Sequence, residues 1–284
     1  MTLTVLAILA AGLLVPAAAA PAGKRDLAVS AGDVTDRRRN DNLFASLEIE
    51  LRLTGEAAAG ARGARATVEK AVDDTGRNLI KEKSDSDDFA KSTGDGPPAL
   101  KIELRNPARR ATKVRELSGQ VELFVPERDP AAQARVAKFA TQMDRPISAP
   151  ALKAAGAVVT VVSRKTYEEE KKKDAERRKK EAEGAGIAGA MVNAFAGLFE
   201  GMFGDIGEND VLVRVEDKGK KVFSVDVLDA AGKPVEGMGS MKVGDFWILK
   251  FMEKLPADAG LRISVMTPKS LVTERFALKD VALP

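Results

Sequence analysis

The sequence predicts a mainly β protein: two antiparallel β-sandwich modules, the second interrupted by an inserted α-helical hairpin. Three observations carry that expectation. Short segments with period-two alternation of apolar and polar residues recur along the chain. A turn followed by a strand occurs twice in similar form and in the same order. Between the two occurrences, residues 164–207 change character abruptly, from densely charged to almost uncharged.

Residues 1–22 read as a secretory signal: Leu3 to Val15 is an apolar run and Ala18-Ala19-Ala20 a small-residue cleavage motif. No Lys or Arg precedes Lys24, so the usual basic start is missing. Residues 23–42 are polar and rich in turn formers and are expected as a flexible leader. The first module is expected over 43–126. It opens on 43–53, where Leu43, Ala45, Leu47, Ile49, Leu51 and Leu53 alternate with mostly polar residues. A Gly/Ala linker comes next at 55–64, then a hairpin within 66–80 about Asp73-Asp74-Thr75-Gly76, whose Asp and Gly suit a type I turn. Residues 81–98 read as a surface loop, 100–107 as a strand ending at Pro107, and 112–125 as a strand with a bulge at Gly119.

The second module is expected over 127–284. Asp129-Pro130 suits a helix start, and Val136, Phe139, Ala140 and Met143 keep helical spacing, which predicts a helix over 130–143. Strands are expected at 156–163, 210–216, 221–229, 243–252, 261–267 and 271–278. The echo joins the modules: Asp73-x-x-Gly76-Arg77-x-Leu79 matches Asp229-x-x-Gly232-Lys233-x-Val235. Leu100-x-Ile102-x-Leu104-x-x-Pro107 likewise matches Leu261-x-Ile263-x-Val265-x-x-Pro268. The arrangement resembles the Ig-like or fibronectin-III-like modules of exported bacterial proteins, which implies two such sandwiches. The Cys…Trp…Cys spacing of Ig domains is absent.

The insertion, residues 165–207, has two parts. Residues 164–183 hold nine basic and seven acidic residues and almost no apolar stripe. Thr166 and Glu169 suit a capping box, and Glu168–Lys172, Glu169–Lys173, Asp174–Arg178 and Glu176–Lys180 pair acid to base at i,i+4. This reads as a solvated helix that projects the segment after it. From Gly184 to Phe199 there is no charge. Ile187, Met191, Phe195, Leu198 and Met202 fall on one helical face, widened by Phe199 and Phe203. Gly197 and Gly201 give a small-xxx-small pair that permits close helix packing. Three destinations for this face stay open: the protein's own sheet, other copies of the chain, or a membrane interface.

The composition narrows the chemistry. There is no His and no Cys, which removes the commonest general base, the commonest zinc ligands and any disulfide. The motifs G-x-S-x-G, G-x4-G-K-[ST] and S-x-x-K are absent, so no enzymatic activity and no cofactor are expected. A net charge of +3, from 45 basic and 42 acidic residues, does not mark a nucleic-acid partner. Asp85, Asp87 and Asp88 read as a solvated acidic loop rather than a calcium site. Arg37, Arg38, Arg39, Arg105, Arg109, Arg110, Lys113 and Arg115 could meet anionic glycans or phosphates, and are read as a solvated face. The sequence thus points to an exported, non-catalytic envelope protein, periplasmic or extracellular, whose scaffold presents a helical arm. The arm's partners would be a second copy, an envelope protein or a membrane surface. The alternative is a soluble periplasmic module that binds a glycan or peptide through its loops.

Overall fold

The computed structural model describes residues 26–38, 45–81, 88–92, 96–173, 175–177, 180 and 206–284. The expected signal peptide lies outside these residues. The described chain is mainly β and forms four antiparallel sheets. In order, the elements are β1 (Ala28–Arg37), β2 (Ser46–Thr54), a short helix α1 (Glu56–Ala59), β3 (Gly63–Asp73), β4 (Ala90–Lys91), β5 (Leu100–Leu104) and β6 (Lys113–Phe124). Then come β7 (Gln133–Val136), α2 (Pro150–Ala155), β8 (Val158–Val162) and a helix, α3, described over 164–173. The chain ends with β9 (Val211–Glu216), β10 (Val222–Leu228), β11 (Gly239–Val243), β12 (Phe246–Lys250), β13 (Gly260–Val265) and β14 (Leu271–Ala282).

Two sheets, β1-β2-β5 and β14-β6-β3-β4, fill one apolar cluster between them. The alternation seen in the sequence explains why. Leu47, Ile49, Leu51 and Leu53 of β2 point to the cluster, as do Leu117, Val121 and Leu123 of β6, while Glu48, Glu50, Arg52, Gln120 and Glu122 between them are partly or fully exposed. β14 pairs with β6 along its whole length, from Leu271↔Phe124 to Ala282↔Lys113. The last strand therefore returns to the first cluster, where the sequence had placed it with the second module.

Residues 28–37, expected within a flexible leader, form β1 on β2. Leu27, Val29 and Ala31 keep period two, but the register shifts between Ala31 and Val34, so the apolar rhythm skips a beat and hides the strand. The segment expected as a linker, 55–64, contains α1, whose Ala57 and Ala58 are buried. The bulge expected at Gly119 sits instead on β3, where the register shifts between Val68 and Lys70 opposite it. Gly119 is the residue that lets β3 come close: a Cβ there would lie 2.1 Å from the Thr67 carbonyl oxygen.

The sheets β10-β13-β7 and β11-β12-β9-β8 share a second cluster, which includes Val213, Trp247, Leu261 and Ile263. The helix expected over 130–143 does not form. Asp129 does accept from the Ala131 N–H, but the turn it caps is a 3-10 turn of three residues, Pro130–Ala132. Gln133 is already extended, and β7 pairs with the free edge of β13 through Ala134↔Ile263 and Val136↔Leu261. Backbone pairing to a waiting strand outweighs a weak local helix preference.

The echoed turns share one geometry. The Asp73 N–H donates to Arg77 O and the Gly76 N–H to Asp73 O; the Asp229 N–H donates to Lys233 O and the Gly232 N–H to Asp229 O. Gly76 and Gly232 sit at φ of +89° and +77°, a left-handed conformation that favours glycine. The strands around them are wired differently. β3 pairs with β6 and β5 with β2 in separate sheets, whereas β10 and β13 pair with each other. The turns repeat; the sheet order does not. Phe124, Ala132 and Phe223 form a further buried cluster where the two assemblies meet, with Phe223 against Gly63.

Candidate functional site

β8 and β9 are hydrogen-bonded neighbours, with Val162 opposite Leu212. A tight turn would suffice to join them. The chain instead spends residues 163–210 on the connection, far beyond the ~15 residues that usually serve. The site is the place where this insertion leaves the sheet and returns to it.

The departure is built residue by residue. Ser163 caps α3: its Oγ accepts from the Thr166 N–H at 3.2 Å, and the first helical bond runs from the Tyr167 N–H to Ser163 O. The cap expected at Thr166 therefore lies three residues earlier. Asp144 accepts from the Ser163 N–H at 2.8 Å, which holds its carboxyl below the usual aspartate range. Tyr167, the only tyrosine, is buried edge-on against Phe246, with ring centroids 4.9 Å apart. It completes a small cluster with Val162, Leu212 and Ile248 on the outer face of the β11-β12-β9-β8 sheet. One turn later, Glu170 accepts from Arg214 of β9 at 2.6 Å. The return strand is tied in as well: the Arg164 guanidinium donates to Gly207 O at 2.6 Å, and Ile206 packs on the same cluster.

Burial along α3 shows where the sheet lets go. Tyr167 is buried and Glu170 and Lys171 half-buried, the i, i+3, i+4 face of a helix lying on a surface. Every described residue beyond them (172, 173, 175–177 and 180) is exposed. The same end of the sheet carries exposed apolar side chains. Met143, Met238 and Met252 are 41%, 66% and 79% exposed. Met143 precedes the Asp144 that holds Ser163, the Met238 N–H bonds Lys250 O at the end of β12, and Asn209 donates to Met252 O. Three exposed methionines thus lie at the end of the sheet where the insertion begins and returns.

The residues on which the sequence placed the interaction face, Ile187, Met191, Phe195, Leu198, Phe199, Met202 and Phe203, lie outside the described residues. So do Gly197 and Gly201, and so do Asp85 and Asp87 of the acidic loop. Of the basic residues, Arg39 also lies outside the described residues, whereas Arg37, Arg38, Arg105, Arg109, Arg110 and Lys113 are gathered by the fold. Segments 36–38, 73–79 and 105–113 are bonded together at the pole of the first assembly: Asn106 donates to Asp36 and Arg37 O, Arg38 to Pro107 O, and the Ala108 N–H to Asp73. The basic residues of the pole were singled out in the sequence and read as a solvated face; that Arg77 joins them, and that the three methionines share one end of a sheet, was not visible, because these residues come from segments far apart in the chain.

Among the described residues no group of three or more His, Cys, Asp or Glu could hold a metal ion, and no helix is long and apolar enough to cross a membrane. No protein-family model, curated protein or solved structure matches the chain.

Proposed function

We propose that this protein is an exported, non-catalytic envelope scaffold that presents the 165–207 insertion as an interaction arm. Two Ig-like or fibronectin-III-like sandwich modules form the scaffold, and a helical hairpin forms the arm. One observation carries the reading: α3 is fixed to the sheet for little more than a turn and its described residues are exposed from there on. A connection that only needed to close β8 onto β9 would not need this root or this length.

The parts of the arm suit different tasks. Tyr167 and the Glu170–Arg214 pair fix its direction. The charged stretch to Glu183 serves as spacer, at ~1.5 Å per helical residue. The uncharged face from Ile187 to Phe203 supplies the contact, and Gly197 and Gly201 admit a close helical partner. Methionine is well suited to a surrounding surface that adapts to a partner, because its unbranched thioether repacks easily. The occupants that fit are a second copy of the arm, an envelope protein or a membrane interface.

The test keeps the root and removes the rest. Residues 171–205 are replaced by a short Gly/Ser linker, leaving Tyr167, Glu170, Ile206 and Gly207 in place. The intact protein is expected to self-associate in sedimentation or to float with liposomes, and the shortened protein to do neither at unchanged melting temperature. If the shortened protein behaves as the intact one in both assays, the insertion is not an interaction arm.

A further inference from the structure

The pole of the first assembly, away from its junction with the second, collects arginines. Arg37, Arg38, Arg77, Arg105, Arg109 and Arg110 are all exposed there. They come from the end of β1, the Asp73 turn and the loop before β6, segments that the bonds of Asn106, Arg38 and Ala108 tie into one surface. The acids of this pole are already engaged. Asp73 accepts from the N–H groups of Thr75, Arg77 and Ala108 and from the Thr75 hydroxyl. Asp74 accepts from Thr112, Asp36 from Arg38 and Asn106, and Asp280 pairs with Lys113. Glu103 pairs with Lys81 and also feels the charge of Arg37, and among the described residues no carboxylate lies within salt-bridge distance of Arg37, Arg77, Arg109 or Arg110.

We infer that this pole binds a soluble polymer bearing repeated phosphate or sulfate groups. Three features select that class. Guanidinium forks match tetrahedral oxyanions two bonds at a time, and six of the cations here are arginines. Their separation over three segments suits a ligand with several charges rather than one. Among the described residues, none of the exposed large apolar side chains, Met143, Val158, Met238 and Met252, belongs to these segments, so the pole offers none of them to a bilayer. The inference is independent of the arm, which leaves from the other assembly.

The experiment uses the full mature chain with long-chain inorganic polyphosphate and dextran sulfate as probes, followed by fluorescence anisotropy at 50 and 200 mM salt. Arg37, Arg77, Arg109 and Arg110→Gln form the first variant; a second carries Lys at the same four positions. A control replaces Lys165, Lys172, Lys173 and Lys180 of the helix by Gln, for the same change in net charge. The intact protein is expected to bind, the Gln variant to lose about tenfold or more, and its salt slope to fall by about 1 per arginine removed. The Lys variant is expected to fall between them, and the control to match the intact protein. Phosphate and sulfate polymers binding alike identifies the shared oxyanion chemistry; a preference for one names the source. The idea is overturned if neither polymer binds at 50 mM salt, or if the helix control loses as much as the pole variant. It is also overturned if the Lys variant binds as tightly as the intact protein. Binding to phosphatidylglycerol vesicles with no polymer binding would give the pole to a membrane surface and contradict the proposal.

Discussion

Gly119 is the least replaceable position in the first assembly, although it has no side chain. It lies in β6 between β3 and β14, and an added methyl would overlap the Thr67 carbonyl at 2.1 Å. Gly119→Ala is expected to lower stability by about 2–4 kcal/mol, measured by chemical denaturation, because the strand spacing itself must open. Asp73 acts at the same scale by a different route. Burial pushes its carboxyl up, but the Ala108, Arg77 and Thr75 N–H groups and the Thr75 hydroxyl more than offset this and hold it below the usual range. Its folded pKa is thus depressed, so its stabilisation is complete above about pH 4 and fades as pH falls through the folded value. Asp73→Ala is expected to cost about 2–3 kcal/mol at neutral pH, with the gap to the native protein closing in acid. A gap that stays constant down to pH 2 would mean the carboxylate charge plays no part. The Asp-x-x-Gly pair that announces this turn was readable, since an Asp side chain bonding backbone two and four residues ahead is local chemistry. The Ala108 bond was not readable, since it spans 35 residues.

Among elements, legibility depended on how far each relies on its neighbours. β2, β5 and β6 were visible because each buries mainly one face, and that requirement is written into every second residue; β9, β10 and β13 are buried on both faces at several positions and were visible as short apolar runs. β1 was hidden by its irregular register after Ala31. The segment 130–143 misled because Val136, Phe139, Ala140 and Met143 imitate a helical face, while the hydrogen bonds come from β13, 125 residues away at Val136↔Leu261. The root of α3 was half legible. Its helical content was plain, but Tyr167 carried no sign that its ring would meet Phe246 from the far side of the insertion. Tyr167→Ala should therefore act on this element alone. It is expected to remove about 3 kcal/mol of packing between α3 and the sheet, seen as faster hydrogen exchange over 163–171 and 206–212. Exchange in β2 and β6 should stay unchanged. Equal loosening of both assemblies would show that the root is part of the common core rather than a separate fastening.

At the scale of the whole molecule, four buried apolar clusters hold the described residues. Two apolar clusters carry the sheets, a third joins them around Phe124 and Phe223, and a fourth lies where α3 touches down. Gly63 belongs to the joint: a Cβ there would meet the Phe223 ring at 2.5 Å. Gly63→Val is expected to push the assemblies apart and to give two unfolding transitions in calorimetry where the native chain is expected to give one. The class of the fold and the existence of the insertion were present in the sequence. The basic residues of the pole were marked in the sequence, but their joining with Arg77 in one surface, like the shared position of the three methionines, was not, because distant segments are brought together by the fold.

The central claim is that the apolar face of the insertion serves contact and not the protein's own core. Phe195, Phe199 and Phe203→Ser in the full chain tests it most directly, with sedimentation and liposome flotation measured beside thermal melting. The account predicts that association or flotation is lost while the melting temperature holds. A lowered melting temperature with association and flotation unchanged would place those rings in the core and contradict it.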